Sequence, residues 1–311
     1  KSEDTWFNIP EDVQETFIEE SMNDAIAECK NAGAFENVRN RYLTGRMRQT
    51  IKRTVWALTT QIQKGKFVPS DFEVSFSRAD KLDAIRFQLS DEEKMNLLGR
   101  IDRVDTYETS DKVYVKIIDY KSGNTSFSLV NLYHGLQLQL VVYMNAALEL
   151  EEKRHPGKKA EPAGIFYYHI QNPIVDGLGN ETEAEIRNSV LEQLKLNGLV
   201  NDDPEIYEAM DSDFAGNSSV IPIGKKTSTY DFSVMSDYVQ EKIKETGKKI
   251  FAGDISIHPY SLDGKSGCDY CPYHTVCGFD TRMPGYSYHK LEKFDSADEI
   301  LKRMENEKQE Q

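Results

Sequence analysis

The chain has 311 residues, of which 39% are hydrophobic and 29% are charged, and its formal net charge is −14. This length suits one large domain or two small ones, with enough apolar residues for a core. No stretch approaches the ~20 apolar residues of a membrane-spanning helix, so we expect no membrane association. The acidic balance does not by itself indicate a nucleic-acid-binding protein.

Two amphipathic helices are predicted first, over residues 10–32 and 38–64. Residues 37–70 contain no Asp or Glu, and apolar residues at helical spacing give the second helix an inward face. Its basic residues would then point outward, where they could bind DNA phosphates. An ordinary solvated face, or a basic surface that meets an acidic part of a larger protein, is the alternative. The basic residues are Arg39, Arg41, Arg46, Arg48, Lys52 and Arg53.

Strands follow these helices in the predicted order. Alternating patterns and β-branched residues predict strands over residues 72–76, 84–89, 97–106 and 113–121, then a helix over 130–151 and a strand over 163–170. This order is typical of an α/β (α+β) fold in which a mixed central sheet is flanked by helices.

Charged side chains lie on two neighbouring predicted strands. Asp102 lies on the strand over 97–106, and Asp119 and Lys121 end the strand over 113–121. Side chains two apart on a strand face the same way, so Asp119 and Lys121 share a site that a hairpin would extend to Asp102. Carboxylates suit a divalent cation, which prefers oxygen ligands, while a lysine can orient water or offset charge on a phosphate.

The alternative is a solvated strand face, because charged residues commonly line the exposed side of an antiparallel sheet. Against it, Asp119 follows Ile117 and Ile118 in an apolar run, where an unpaired carboxylate would be costly. Gln139 and Tyr143 are four residues apart and therefore neighbours on one face of the predicted helix. The combined pattern favours the site of a metal-dependent nuclease.

The rest of the chain is organised around this core. Residues 171–231 are polar and acidic, with scattered Gly, Asn and Asp, and predict a loop-rich insert that contains one helix over 181–196. We expect a single domain, in which 1–170 hold helices and the catalytic core and 232–311 hold C-terminal helices and a cysteine cluster.

Three cysteines occur within ten residues, Cys268, Cys271 and Cys277, and predict a loop wrapped around a metal ion or cluster. Zinc is one alternative, because His274 lies among them and three thiolates with one imidazole form a common structural site. Disulfides are not expected, since the chain has only four cysteines and lacks a secretory signal. Cys29 falls on the apolar face of the first predicted helix, which indicates a buried inert thiol.

These motifs resemble the RecB-type nuclease domain of the PD-(D/E)xK superfamily. The chain is similar in particular to the C-terminal nuclease domain of AddB subunits in bacterial AddAB ATP-dependent helicase–nucleases. The likeness runs through most of the chain. It is carried by Gly99-Arg100-Ile101-Asp102-Arg103, Ile118-Asp119-Tyr120-Lys121-Ser122, Gln139-Leu140-Val141-Val142-Tyr143, Gly164-Ile165-Phe166-Tyr167-Tyr168-His169 and the cysteine cluster.

The resemblance implies a restriction-endonuclease-like core and a nuclease triad of Asp102, Asp119 and Lys121. It also implies Mg²⁺ or Mn²⁺ as the cofactor, the Tyr120 carbonyl as a further metal ligand, and Gln139 with Tyr143 as an auxiliary motif. The expected activity is cleavage of unwound DNA, on the 5′-terminated strand, during double-strand break repair in the bacterial cytoplasm. The expected partners are DNA and an AddA-type subunit that carries the helicase motor.

The same resemblance implies that the three clustered cysteines bind a [4Fe–4S] cluster, which normally needs a fourth thiolate. In the family the fourth cysteine lies far upstream, and a metal-binding histidine precedes the Asp102 region. Here no histidine occurs before His134, and the chain starts at Lys1. We therefore expect an excised fragment of a larger protein, whose cluster would be absent or incomplete.

Two other functions remain open from the sequence. One is a non-catalytic, iron–sulfur or zinc-stabilised module for DNA binding or docking. The other is a stand-alone RecB-like exonuclease. The joint presence of the triad and the auxiliary pair favours an active nuclease over the first of these.

Overall fold

The computed structural model describes residues 7–29, 37–76, 85–175, 179–212, 218, 220–221 and 226–309. The helices of this part are α1 (Glu11–Glu28), α2 (Val38–Gln63), α3 (Leu129–Tyr133), α4 (Gln139–Arg154), α5 (Glu183–Gln193), α6 (Pro204–Met210), α7 (Thr229–Phe251), α8 (His274–Cys277) and α9 (Ala297–Gln309). Its strands are β1 (Val68–Phe76), β2 (Ile85–Gln88), β3 (Lys94–Leu97), β4 (Gly99–Glu108), β5 (Lys112–Lys121), β6 (Lys159–His169), β7 (Asn197–Asn201), β8 (Lys226–Thr227), β9 (Tyr260–Leu262), β10 (Lys265–Ser266) and β11 (His289–Lys290).

The described residues fall into two compact units. The first comprises those of Lys1–Ala84, Leu98–Phe127 and Gln139–Phe232, and the second those of Ile85–Leu97, Ser128–Leu138 and Ser233–Gln311. That residues 1–311 act as one domain stays a prediction.

A six-stranded mixed sheet forms the centre of the first unit, in the order β1-β4-β5-β6-β7-β8. β4 and β5 form the antiparallel hairpin that the sequence predicts, and β6 lies parallel to β5 on its other side. β5 is apolar at consecutive positions, Ile117 and Ile118 among them, because its middle is buried on both faces of the sheet. The expected mixed sheet flanked by helices is therefore confirmed.

Helices cover both faces of this sheet. α2 begins after Asn37, whose side chain accepts a hydrogen bond from the Asn40 backbone N–H, and Leu58 packs on a cluster that contains Tyr114 and Ile118 of β5. α4 packs on β5 and β6. Its contact with Lys121, described below, places it on the face opposite to Ile118, because side chains alternate along a strand.

The structure corrects two sequence predictions about elements. The single helix expected over 130–151 is two helices, because Gly135 adopts a φ of 79° after α3 and a new helix begins at Gln139. In the segment 171–231, α5 confirms the helix predicted over 181–196, but the remainder, expected to be loop-rich, also contains β7, α6 and β8. β7 and β8 extend the central sheet and are too short to give an alternating pattern in the sequence.

The second unit contains two small sheets. β2 pairs with β3, while β9 lies between β10 and β11. Tyr133 of α3 stacks on Tyr238 of α7 with ring centroids 5.5 Å apart, and the Tyr238 hydroxyl donates to the Tyr133 carbonyl. In neither unit does a described helix combine the length and apolar character that crossing a membrane requires.

Candidate functional site

Asp102 lies at the end of the β4–β5 hairpin where the pairing between the two strands stops. The last paired residues at this end are Arg103 and Ile118, so continued pairing would oppose Asp102 and Asp119. Instead, the Asp102 carboxylate accepts a hydrogen bond from the Tyr120 backbone N–H, with 2.9 Å between Tyr120 N and Asp102 Oδ2. This contact holds the half-buried carboxylate at the end of β5, as the sequence predicts.

Asp119 is nearly enclosed, with 2% of its surface exposed. Its Oδ2 atom is buried, and the Lys121 ammonium lies 2.6 Å from it as an ion pair. Burial raises the pKa of Asp119, and the charge of Asp102 raises it further, against the opposing effect of Lys121. The one ammonium beside Asp119 therefore does not offset the combined effect of burial and of the Asp102 charge.

Lys121, Gln139 and Tyr143 continue the site as a row of side chains. Lys121 Nζ donates to Gln139 Oε1 over 3.1 Å, and Gln139 Nε2 donates to the Tyr143 hydroxyl over 2.8 Å. The predicted i, i+4 relation between Gln139 and Tyr143 on α4 is confirmed. The Tyr143 ring is buried edge-on against Phe76, with centroids 5.8 Å apart. Packing thus fixes Tyr143, which orients the Gln139 amide toward Lys121.

The Tyr120 carbonyl, predicted as a metal ligand, lies on β5 between the two site residues Asp119 and Lys121. The side chain of Tyr120 belongs to the opposite face. There its hydroxyl accepts a hydrogen bond from Arg103 over 3.4 Å, and both residues line an apolar cavity with residues of α1 and α2.

Sequence reasoning gave no role to two residues of β6 that the structure places beside the site. β6 pairs in parallel with β5, so that Tyr167 is opposite Asp119 and His169 is opposite Lys121. Lys121 Nζ lies 5.3 Å from the centre of the Tyr167 ring. The signal could have come only from knowing that the strand predicted over 163–170 neighbours β5.

The basic residues of α2 are not gathered at this site. Arg48 forms an ion pair with Glu19 and Lys52 with Glu15, each over 2.9 Å, so acidic residues of α1 neutralise part of the predicted basic face. Arg53 donates to the Asn172 side chain over 3.4 Å. α2 covers the face of the sheet opposite to the Lys121 side chain. Three further basic residues, Arg39, Arg41 and Arg46, are exposed.

The cysteines form no disulfide. Cys271 N–H donates to the Cys268 carbonyl, and Cys277 Sγ accepts a hydrogen bond from the Phe279 backbone N–H over 3.4 Å. Across the described ranges, no three Cys, His, Asp or Glu side chains are grouped closely enough to hold a metal ion. The expectation that Cys29 is buried is wrong: α1 ends at Glu28, and the extended residue after it is exposed.

Comparison with known proteins identifies the class to which this fold and site belong. A model of the PD-(D/E)XK nuclease superfamily matches residues 8–278. The chain therefore belongs to the PD-(D/E)XK nuclease superfamily, as the motifs predict.

More specific likeness comes from curated proteins, each named as the B subunit of an ATP-dependent helicase/deoxyribonuclease. The one from Lachnoclostridium phytofermentans is 37% identical over 307 residues, which cover 92% of this chain and 25% of that protein. Those from Thermoanaerobacter pseudethanolicus and Clostridium kluyveri are 35% and 32% identical and cover 99% and 98% of this chain. The chain spans about a quarter of the length of these relatives.

Proposed function

We propose that this chain is the nuclease domain of an AddB-type subunit of a helicase–nuclease. It hydrolyses phosphodiesters of unwound DNA with Mg²⁺ or Mn²⁺, as an exonuclease on the 5′-terminated strand, during double-strand break repair in the bacterial cytoplasm. One observation carries the proposal: Asp119, Lys121, Gln139 and Tyr143 form a continuous row of polar contacts beside Asp102. The name of the relatives, a deoxyribonuclease subunit, supports the same activity.

The donor set suits a hard divalent cation. Asp119 Oδ2 is buried, and the nearby Asp102 charge adds to the effect of burial in raising the pKa of Asp119. Both effects would be relieved by a cation that prefers oxygen ligands. Asp102, Asp119 and the Tyr120 carbonyl would hold it. The chemistry that bound Mg²⁺ supplies is polarisation of a phosphate and a lower pKa for water.

The other residues position charge around the reacting phosphate. Lys121 carries its ammonium between the Asp119 carboxylate and the Gln139 amide oxygen, which fixes the direction of its protons. An ammonium held in this way stabilises the negative charge that develops on a phosphate during attack by water. Gln139 keeps its oxygen toward Lys121 because its amide nitrogen donates to Tyr143.

The partner in this proposal is an AddA-type subunit that unwinds the duplex and delivers single strands. The name of the relatives describes one subunit of an ATP-dependent helicase and supports such a partner. The described residues contain no grouped set of thiols that fits a [4Fe–4S] cluster or zinc.

The decisive experiment is cleavage of end-labelled single-stranded DNA with Mg²⁺ or Mn²⁺. We expect wild-type protein to cut, EDTA to stop cutting, and both Asp119→Ala and Lys121→Ala to lose about 10²–10³-fold in rate or more. Asp111→Ala is the matched control, because Asp111 is an exposed aspartate in the turn at the other end of the same hairpin. DNA binding without cleavage by the wild type would contradict the proposal and favour a binding module.

A further inference from the structure

Tyr167 sits on the same face of the sheet as the proposed catalytic residues. Paired residues of neighbouring strands project to the same side, and Tyr167 is paired with Asp119. The next residue, Tyr168, projects to the opposite side, where its ring meets the Tyr120 ring with centroids 6.0 Å apart. The two adjacent tyrosines therefore lie on opposite faces of the sheet. Of the two, Tyr167 lies on the face that carries the site.

The hydroxyl of Tyr167 has no hydrogen-bond partner among the described residues, although the residue is almost fully buried. The residue is 2% exposed, yet its hydroxyl makes no hydrogen bond to any part of the chain that the structure describes. It differs in this from the Tyr143 hydroxyl, which accepts from Gln139. It is also not enclosed as the Tyr168 hydroxyl is, so it can reach a ligand in the site. A hydroxyl that can be reached from the site and has no described partner in the chain can donate a hydrogen bond to a ligand there.

The groups around the Tyr167 hydroxyl indicate whether its ligand is an anion or a cation. Lys121 Nζ lies 5.3 Å from the Tyr167 ring centre, so the ammonium and this tyrosine are neighbours in the site. A tyrosine hydroxyl carries its proton at neutral pH and can therefore donate a hydrogen bond. An ammonium with a neighbouring hydroxyl donor suits an anion that has several acceptor oxygens.

We propose that the Tyr167 hydroxyl donates a hydrogen bond to a non-bridging phosphate oxygen of the DNA strand bound at Lys121. Tyr167 is then a substrate-binding residue in addition to the predicted motif residues. The inference rests on the proposed function, because it takes DNA as the ligand of this site.

The test compares Tyr167→Phe with Tyr168→Phe, which removes the hydroxyl of the neighbouring tyrosine on the other face. The Kd of a labelled single-stranded oligonucleotide is measured by fluorescence anisotropy in EDTA, so that no metal is needed, and the KM and kcat of cleavage are measured with Mg²⁺. We expect Tyr167→Phe to raise the Kd about tenfold, as loss of one charge-assisted hydrogen bond implies. We expect Tyr168→Phe to leave the Kd and KM unchanged.

Thermal unfolding separates binding from a structural role. Since the Tyr167 hydroxyl has no described partner in the chain, its removal should leave the Tm unchanged or raise it slightly. A lower Tm together with a higher Kd would overturn the inference, because the defect would then be structural. Equal defects in both variants would also overturn it, since loss of a core hydroxyl on either face would then have the same effect.

The remaining outcomes distinguish this inference from the proposed function. If Tyr167→Phe binds as wild type does while Asp119→Ala loses cleavage, the inference is wrong and the nuclease stands. If wild type does not cut but only Tyr167→Phe weakens binding, the inference stands and the nuclease assignment is wrong. Wild-type protein that neither binds nor cuts overturns both.

Discussion

Each face of the central sheet carries a cluster of charged side chains. The two clusters differ in how completely their charges are paired. On the α2 face, Arg103 donates to both carboxylate oxygens of Asp105 over 2.6 and 2.8 Å, and Lys116 Nζ lies 2.9 Å from Asp105 Oδ2. On the α4 face, the described part of the chain gives the buried Asp119 one cationic neighbour, Lys121, at 2.6 Å. The first cluster is closed, and the second is open to a ligand.

The two aspartates show what this difference does. Burial alone would raise the pKa of Asp105, but the charges of Arg103 and Lys116 hold it below its ordinary value. Burial raises the pKa of Asp119 as well, and there the single ammonium of Lys121 does not reverse the effect. Buried charge is therefore not by itself a sign of function. An incompletely paired buried carboxylate beside other polar groups is the more informative feature.

The largest effect that would sharpen this comparison is on stability. Asp105→Ala leaves two buried cations without their counterion, and we expect it to lower the free energy of unfolding by about 3–5 kcal/mol. Asp119→Ala removes a buried carboxylate that is incompletely paired, so we expect unchanged or higher stability. Urea unfolding in EDTA measures both. Equal destabilisation by the two substitutions would contradict the distinction between a closed and an open cluster.

A smaller effect is expected within the row on the α4 face. Gln139→Ala frees the Lys121 ammonium from its amide partner, and we expect cleavage to fall about 10- to 100-fold, as for other orienting contacts. Tyr143→Phe keeps the contact between Gln139 and Lys121 and removes only its support, so we expect a loss of about 2- to 10-fold.

The rates of DNA cleavage by these variants are compared with that of Glu149→Ala. Glu149 is an exposed residue of the same helix and forms an ion pair with Lys153 in the next turn. A larger loss of cleavage in Tyr143→Phe than in Gln139→Ala would contradict this assignment. It would mean that Tyr143 contacts the substrate directly and does not act by supporting Gln139.

Local patterns in the sequence were sufficient to predict the hairpin, the shared face of Asp119 and Lys121, and the pairing of Gln139 with Tyr143. Each depends on a spacing of two or four residues, which a strand or helix converts directly into proximity. Tyr167 could not be found in this way. Its place beside Asp119 depends on the parallel pairing of β6 with β5, and a residue spacing carries no information about that crossover.

The closed cluster, and the neutralisation of part of the basic helix by α1, could not be predicted for a related reason. Arg103 and Asp105 are two residues apart on β4, so the sequence places them on one face, but it does not say that α2 covers that face. The ion pairs of Arg48 and Lys52 with α1 likewise depend on how two helices pack. The break before α4 depends on the left-handed conformation of Gly135, which a helical hydrophobic pattern hides.

The smallest expected effect is on the pH dependence of stability, and it should have opposite signs for the two aspartates. The pKa of Asp105 is lowered on folding, so its stabilising contribution is complete above the unfolded value of about 3.9 and is lost as the pH falls below it. The pKa of Asp119 is raised on folding. Its carboxylate therefore destabilises the metal-free protein above the folded pKa, and this penalty disappears as the pH falls toward about 3.9.

The free energy of unfolding of the wild type, Asp105→Asn and Asp119→Asn in EDTA, from pH 7 to pH 3, measures both contributions. As the pH falls, we expect the wild type to gain stability relative to Asp119→Asn at pH values above about 3.9 and to lose stability relative to Asp105→Asn below it. Over a complete titration each difference changes by about 1.4 kcal/mol for every unit by which folding shifts the pKa, and for Asp105 the experiment measures the part of this change between about pH 3.9 and pH 3. Curves that move in the same direction would mean that the two carboxylates are equally well paired, and the structural argument for an open site at Asp119 would fail.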